Sequence, residues 1–138
     1  MLGNEFEMSF FQGQERLVTM KNLLVAQSGG PSAAINATLA GVVEKAMTNQ
    51  NVGKIYGAKN GIMGILTDKL IDLTETLADP ETLQLLCQTP SSALGSCRMK
   101  LSDWEESTFE YDKILGIFRK YDIGYFVYIG GNDSMDTV

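Results

Sequence analysis

The sequence predicts an α/β fold with a doubly wound, mostly parallel sheet and helices on both faces. Three apolar runs have the length and composition of strands, at residues 23–26, 54–58 and 125–129. Helical periodicity follows the first run and precedes the last, and glycine pairs follow the first and the third. Strands that are apolar throughout and alternate with helices are typical of a sheet covered on both sides.

The first half of the chain is predicted to contain two strands, a helix and a loop. Strand 23–26 leads through a glycine turn to a helix that begins at Ser32. Apolar residues then recur on one helical stripe: Ile35, Leu39, Val42, Val43, Ala46 and Met47. Residues 54–58 form the second strand, and a glycine-spaced loop follows through Gly61 and Gly64.

The second half is predicted to contain two helices and the third strand. Asp79 as cap and Pro80 as the first helical residue open a short helix. Its apolar face is formed by Leu83, Leu86 and Cys87. Ser107 and Glu110 have the spacing of a capping box, and the helix that begins there leads to strand 125–129.

The composition excludes several classes of function. With 138 residues the chain has room for one compact domain, and 44% hydrophobic residues suit a globular core. The net charge of −6 argues against a nucleic-acid binder, because such proteins hold phosphate backbones with clustered Lys and Arg. The chain has no histidine, which excludes Ser-His-Asp and Cys-His catalysis. Cys87 and Cys97 favour two reduced thiols over a zinc site or a disulfide framework.

The first 19 residues are predicted to be an N-terminal extension, either natural or left by cloning, and residues 20–138 a partial α/β domain. Neither part contains a signal-peptide-like segment or about 20 consecutive apolar residues. We therefore predict no membrane partner and a cytoplasmic location. By hypothesis Met20 is the natural start, which N-terminal sequencing of the native protein would test.

The first glycine turn is a candidate phosphate site. Gly29 and Gly30 lie between the first strand and its helix, where missing side chains let a phosphate approach backbone amides at the positive end of the helix dipole. An ordinary tight turn has the same sequence, so both interpretations stay open. The chain lacks the P-loop pattern and the G-x-G-x-x-G pattern of dinucleotide folds.

The second glycine turn carries polar side chains directly after a strand. Asn132, Asp133 and Ser134 follow Gly130 and Gly131. Oxygen ligands of this kind suit hydrated Mg²⁺, and Ser134 can donate to a phosphate. Helix capping by one of the three side chains is the alternative. Both glycine turns follow the carboxyl ends of strands, where ligands bind in open α/β sheets.

A loop of small residues at 90–100 carries two cations, Arg98 and Lys100. An arginine held by such a loop can bind a phosphate through two parallel hydrogen bonds. Two solvated surface cations are the alternative interpretation.

Three motifs, in this order and spacing, resemble the N-terminal part of the phosphofructokinase family: SGGPSAAIN at 28–36, LGSCRMK at 94–100 and IGGNDSMDT at 129–137. The resemblance covers the chain from about Met20 onward. It implies transfer of a phosphoryl group to the 1-hydroxyl of fructose 6-phosphate, with Mg²⁺ and either ATP or inorganic pyrophosphate as donor. It also implies two doubly wound domains with the site between them, and assembly into homodimers or homotetramers.

The resemblance assigns roles to individual residues. Gly29, with Gly30 beside it, would bind the donor phosphates, and Arg98 would lie near the transferring phosphate as a catalytic residue. The turn from Gly131 to Ser134 would hold the donor and the metal.

Two residues of that turn depart from the ATP-dependent pattern. Asn132 stands at the position of the usual metal-associated Asp, which makes it the candidate metal ligand. Asp133 replaces a glycine that gives ATP room, and an Asp here marks pyrophosphate users in the family. A carboxylate takes up space and repels a third phosphate, so we predict that Asp133 acts in catalysis as a gate for pyrophosphate.

The family's next motif, a Thr-rich turn with the Asp that serves as general base, would come after Val138. The sugar-phosphate-binding residues of the second domain are also outside the sequence. We therefore expect that the 138-residue chain alone does not catalyse the reaction. Two alternatives stay open, an ATP-dependent phosphofructokinase and a phosphate-binding module without catalysis. Because the last predicted strand should be central, we expect apolar surface without its cover to cause association or poor solubility.

Overall fold

The computed structural model describes residues 19–137, with the backbone alone at Asp133. The predicted extension at 1–19 lies outside the described residues, except for Thr19. The described part contains four strands and six helices: β1 (Lys21–Gln27), α1 (Ala33–Met47), β2 (Val52–Ala58), α2 (Ile62–Leu66), β3 (Leu70–Asp72), α3 (Leu73–Thr76), α4 (Pro80–Gln88), α5 (Phe109–Lys120), β4 (Ile123–Ile129) and α6 (Asn132–Met135). None of these helices is long and apolar enough to cross a membrane.

The four strands form one mixed sheet in the order β3-β2-β1-β4. β1 runs parallel to β2 on one side and to β4 on the other, whereas β3 is antiparallel to β2. The prediction of a mostly parallel α/β sheet is confirmed. Among the described residues β4 pairs with β1 alone and forms one edge of this sheet. Its expected central place in the full-length protein stays a prediction.

Helices cover both faces of the sheet, as predicted. On one face α1 and α3 contribute Leu39 and Leu73 to a core that includes Leu23 of β1. On the other face α2 contributes Ile62 to a core that includes Leu24 of β1, with α5 packed against it. Residues 23–26 are at most 5% exposed. Burial on both sides explains why the sequence of β1 shows no alternation of apolar and polar residues.

Two predicted helix starts are confirmed to within one residue, and the predicted cap Asp79 is confirmed. The Ser32 hydroxyl accepts a hydrogen bond from Ile35 N at 3.4 Å at the start of α1. The Asp79 carboxylate accepts from the amide and the hydroxyl of Thr82 at 3.0 and 2.9 Å, and Pro80 is the first residue of α4. The bonds from Thr82 hold the pKa of Asp79 below its ordinary value. Both caps satisfy amide groups that the first turn of a helix leaves without partners.

The predicted capping box of α5 is wrong. The cap is Thr108, and its side chain accepts no hydrogen bond from a backbone amide of the first turn. The Glu110 carboxylate instead accepts from Ser102 N at 2.8 Å, and the Thr108 hydroxyl donates to the Asp112 carboxylate at 3.2 Å. The segment before the helix folds back over the first turn and occupies the carboxylate that a capping box needs.

Three further features differ from the prediction. α2 occupies part of the expected glycine-spaced loop and begins after Gly61, whose φ of 62° favours glycine. β3 was not predicted, because three half-buried residues are too few to show a period. Cys87 is exposed, since α4 packs on α1 and a narrow stripe with Leu83 and Leu86 is covered.

Candidate functional site

The two glycine turns lie side by side beyond the carboxyl ends of β1 and β4, at what we call the carboxyl edge of the sheet. β1 and β4 end in register, with Gln27 opposite Ile129. The pairing continues into the turns, since Ser28 N donates to Ile129 O at 2.7 Å. A Cβ atom on Gly29 would lie 3.6 Å from Gly131 N. Both turns therefore contribute to one place on the surface.

A cavity of about 380 Å³ opens between the two turns and the start of α1. Gly29 has a φ of 79°, a conformation that favours glycine. Within residues 19–137 no hydrogen bond occupies the backbone amides of Gly29, Gly30 or Gly131. The first turn of α1 has no acidic residue, so nothing on it neutralises the positive end of the helix dipole. The cavity can therefore hold an anion against free N–H groups.

The loop that carries Arg98 is held against the first glycine turn. The Ser96 hydroxyl donates to Gly29 O at 2.7 Å. Arg98 follows two residues later and is exposed. Lys100 Nζ lies 3.7 Å from the carboxylate of Asp136, an exposed pair that links the same loop to the residue after α6. The arginine loop therefore contacts Gly29 of the first glycine turn and Asp136, which follows the helix that begins at the second turn.

Two buried amide side chains connect this loop to β1 and α1. Gln27 Oε1 accepts from Leu94 N at 2.8 Å, and Asn36 Oδ1 accepts from Ala93 N at 2.9 Å. Both side chains are at most 1% exposed. Sequence reasoning missed them as site residues. The available indication was Gln27 itself, a polar residue at the end of an apolar strand, because a buried polar side chain needs partners.

The second glycine turn becomes the start of the short helix α6. Its cap is Gly131 rather than Asn132, Asp133 or Ser134, so the expected side-chain cap is wrong. Asn132 is exposed as the first helical residue. Ser134 Oγ is buried and has no hydrogen-bond partner among the described residues. It packs against Gly130, where an added Cβ would overlap it.

Residues 22–138, from β1 to beyond α6, match the family model described as Phosphofructokinase. The chain belongs to the phosphofructokinase family. The match includes the two glycine turns and the arginine loop, which confirms the resemblance that the three motifs indicated.

Several curated phosphofructokinase relatives use different donors by name. The pyrophosphate–fructose 6-phosphate 1-phosphotransferases of Methylococcus capsulatus and Halomonas elongata are 47% and 44% identical over 118 and 117 residues. The ATP-dependent 6-phosphofructokinase of Actinobacillus pleuropneumoniae is 31% identical over 118 residues. These alignments cover 83–85% of this chain but 28%, 27% and 32% of the relatives. The chain therefore spans less than a third of their length.

Solved phosphofructokinases have the same fold in this region. The pyrophosphate-dependent enzyme of Nitrosospira multiformis superimposes with a TM-score of 0.76 at 45% identity, over 85% of this chain and 28% of that one. The Pichia pastoris phosphofructokinase in the T-state gives a TM-score of 0.66 at 17% identity, over 85% of this chain and 12% of that one. The second likeness supports the fold alone.

A half-buried tyrosine, Tyr128, lies near the first glycine turn of this phosphofructokinase domain. The Tyr128 hydroxyl accepts from Ile62 N at 3.3 Å and also contacts Ser28 and Cys97. Burial raises the pKa of Tyr128 by more than the hydrogen bonds with Ser28 and Ile62 lower it. The hydroxyl therefore stays protonated at neutral pH and adds no negative charge near Ser28.

The structure brings most of the sequence-predicted site together. The glycines of both turns line the cavity, and the loop of Arg98 is tied to Gly29. Asn132 lies at the start of α6, at the same edge of the sheet. The side chain of Asp133 lies outside the described atoms, so its role in donor choice stays a prediction.

Proposed function

We propose that the full-length protein that contains this chain transfers a phosphoryl group from inorganic pyrophosphate to the 1-hydroxyl of fructose 6-phosphate. The observation that carries the proposal is the meeting of two glycine turns and an arginine loop at the carboxyl edge. The names of the relatives at 42–47% identity support this reaction. We assign the general base and most of the fructose 6-phosphate site to residues outside this chain, as the family resemblance implies.

In this proposal pyrophosphate binds with its oxygens on the backbone amides of Gly29, Gly30 and Gly131. The small residues of both turns let the anion approach the backbone closely. The dipole of α1 contributes about 0.3–1 kcal/mol of favourable binding free energy for each negative charge near the first turn. Binding by backbone N–H groups suits a chain with a net charge of −6, because these groups hold an anion without a cluster of Lys and Arg side chains.

Arg98 stabilises the charge that develops on the transferring phosphoryl group. The Ser96 tether fixes its loop beside the first turn, so the guanidinium starts close to the donor. Phosphoryl transfer depends mainly on positioning and on electrostatic stabilisation of the transition state. One such preorganised group contributes about 10²–10³-fold to kcat.

When it is bound, Mg²⁺ would neutralise negative charge on the oxygens of the donor. The residues present fit it, since Asn132 offers an exposed amide oxygen and Ser134 Oγ has no partner among the described residues. The described part of the chain contains no group of three or more Cys, Asp or Glu side chains that could hold a metal by itself. Mg²⁺ usually keeps several waters and binds together with substrate phosphates. We assign Asn132 to Mg²⁺ through water, and Ser134 to a donor oxygen.

Asp133 is the residue that we assign to donor choice. Its backbone lies in the first turn of α6, next to the second glycine turn. ATP would place its α-phosphate against this carboxylate, and like charges repel far more in a partly dry pocket than in water. Pyrophosphate ends before that point. The lower identity of the ATP-dependent relatives, 31–32%, supports the same donor choice.

The proposal includes two properties of the complete protein. It assembles as a homodimer or homotetramer, as the family resemblance implies, and it is located in the cytoplasm, as the composition predicts. Sedimentation of the full-length protein measures the first property.

Donor assays on the full-length protein test the proposed function. Formation of fructose 1,6-bisphosphate is measured with pyrophosphate and with ATP at matched free Mg²⁺. We expect turnover with pyrophosphate and a kcat/KM for ATP at least about tenfold lower, a difference of about 1.4 kcal/mol. Turnover with ATP alone would replace the proposal by an ATP-dependent kinase. Binding of pyrophosphate without turnover would replace it by a phosphate-binding module.

A further inference from the structure

The fully buried side chain of Gln27 makes hydrogen bonds in two opposite directions. On one side Oε1 accepts from Leu94 N at 2.8 Å and from the Ser92 hydroxyl at 3.3 Å. On the other side Nε2 donates to Ile35 O at 3.3 Å and to Asn36 Oδ1 at 3.4 Å. One side chain at the end of β1 therefore joins the first turn of α1 to the segment before Arg98.

Asn36 continues the same network from α1. Its Nδ2 donates to Thr89 O at 2.8 Å, and its Oδ1 accepts from Ala93 N at 2.9 Å. These two contacts hold the segment 89–93 at both ends. Because Oδ1 also accepts from Gln27, the two amides form one connected, buried unit. We call Gln27 and Asn36 the amide pair.

The segment that the amide pair holds leads directly into the arginine loop. Leu94 is 5% exposed and is fixed on both sides of its backbone, since its N–H donates to Gln27 and its carbonyl accepts from Asn60 N at 2.8 Å. Two residues later, the Ser96 hydroxyl donates to Gly29 O at 2.7 Å. Arg98 thus follows two fixed points of the backbone.

The chemistry of the amide pair suits a device that fixes geometry. A buried amide that loses its partner costs about 1–3 kcal/mol, so each bond holds its partner at a defined place. A carboxamide carries an acceptor oxygen and a donor nitrogen on separate atoms of one uncharged group, and Asn36 uses both here. Apolar packing of the same volume would hold the segment without fixing its register.

We infer that Gln27 and Asn36 are positioning residues, which set the place of Arg98 relative to the first glycine turn. The inference rests on the proposed function, because it concerns the transferring phosphoryl group on which Arg98 acts. Neither of these uncharged side chains lines the donor cavity. Both act through the loop at 89–98. A displacement of about 1 Å at a catalytic group can cost about 10²-fold in rate.

A double-mutant cycle in the full-length protein tests the inference. Gln27→Met removes the four hydrogen bonds and keeps the length of the side chain, and Gln50→Met, at an exposed turn far along the chain, is the matched control. We expect Gln27→Met to lower kcat about 10- to 100-fold, with a change below about threefold in the KM for pyrophosphate. In the Arg98→Ala background the same substitution should lower kcat by less than about threefold, because the group that it positions is gone.

Ser96→Ala provides a second variant that does not depend on a core substitution. Its hydroxyl forms the last fixed point before Arg98, and its removal leaves the amide pair intact. We expect a smaller loss of kcat that again disappears in the Arg98→Ala background. Equal losses of kcat in both backgrounds, for either variant, would overturn the inference. So would a folded Gln27→Met protein whose kcat stays within about twofold of the Gln50→Met control.

Hydrogen exchange of the peptide at 89–98 separates this inference from the proposed function. We expect the Leu94 amide in this peptide to exchange at least about tenfold faster in Gln27→Met than in Gln50→Met, since Leu94 N loses its acceptor. If the full-length protein does not use pyrophosphate, the proposed function fails and the exchange alone decides. Unchanged exchange in Gln27→Met would overturn the anchoring role of the amide pair.

Discussion

The two ends of the sheet are closed in different ways. Toward the end of the sheet where β1, β2 and β4 begin, charge pairs join neighbouring elements, as between Lys21 and Asp122, which are exposed, and between Lys54 and the half-buried Asp72 of the antiparallel β3. At the carboxyl edge the elements are joined by glycines, a serine hydroxyl and the buried amide pair. The carboxyl edge also has one exposed charge pair, Lys100 with Asp136, but its buried contacts are made by uncharged groups.

The difference shows what a site for a small anion requires. Exposed ion pairs contribute about 0–1 kcal/mol and leave their side chains mobile, so they suit an end that only has to be stable. Buried hydrogen bonds between uncharged groups fix geometry and add no carboxylate to compete with the ligand. The carboxyl edge therefore keeps its backbone amides free for an anion, and substitutions there should cost activity more than substitutions at the amino end.

The largest expected effect is that of Arg98→Ala in the full-length protein. We expect kcat to fall about 100-fold, because the cation acts on charge that develops during transfer, and the KM for pyrophosphate to change by less than about threefold. Lys54→Ala removes one cation from the opposite end and should leave kcat within about twofold. Steady-state kinetics with pyrophosphate measures both. A loss that appears in KM alone would contradict the assigned role of Arg98.

Gly130→Ala should cost stability at the carboxyl edge. An added Cβ would overlap the Ser134 hydroxyl, which can rotate, but it would also lie 3.0 Å from Ser28 Cβ, which cannot. We expect the free energy of unfolding to fall by about 1–3 kcal/mol. Gly116→Ala, in the exposed middle of α5 with nothing within 4 Å, should instead raise it by about 0.5–1 kcal/mol. Urea denaturation compares the two, and equal effects would show that the second turn is not tightly packed.

Asp133→Gly should shift donor use toward ATP. Removal of the carboxylate relieves repulsion of the α-phosphate, and we expect the ratio of kcat/KM for pyrophosphate to that for ATP to fall about tenfold. Assays of both proteins with both donors at matched free Mg²⁺ give the ratio. If it stays within about twofold, Asp133 is not the donor gate.

The smallest effect is expected for Asp72→Asn at the amino end. Burial raises the pKa of Asp72, but hydrogen bonds from Lys54, Glu75 N and Thr74 outweigh it and hold the pKa below its ordinary value of 3.8. A lowered pKa stabilises the folded state above that value, and the stabilisation is lost as the pH falls through the folded-state pKa. We expect a loss of less than about 1 kcal/mol at pH 7 that disappears in strong acid. Urea denaturation over pH 2–7 measures it, and a pH-independent difference would exclude the ion pair as its cause.

The parts of this structure that local pattern determines were predictable from the sequence. β1, α1 and β4 are encoded by apolar runs, a helical stripe and glycine turns, and Asp79 caps α4 as expected. Each of these strands, helices and caps is specified by residues within about four positions of one another in the sequence. The same holds for the glycine turns, because a strand followed by two glycines places them at the carboxyl edge.

The parts that depend on distant residues were not predictable. Asn36 bonds Thr89 and Ala93, more than fifty positions away, and no local pattern shows that an amide on a helix will find a loop carbonyl. The capping box of α5 failed for the same reason, since Ser102 folds back to take the Glu110 carboxylate.

The pairing of β1 on both sides predicts the order in which the described strands come together during folding. Leu23 pairs with Ile55, which is close along the chain, and with Tyr125, which is far along it. Near contacts close with less loss of chain entropy and form sooner than distant ones. We therefore expect the first glycine turn to form with β1 and α1, and the second to form when β4 docks. An anion held between the two turns binds only molecules in which β4 has docked, so pyrophosphate should favour these over molecules in which β4 is undocked.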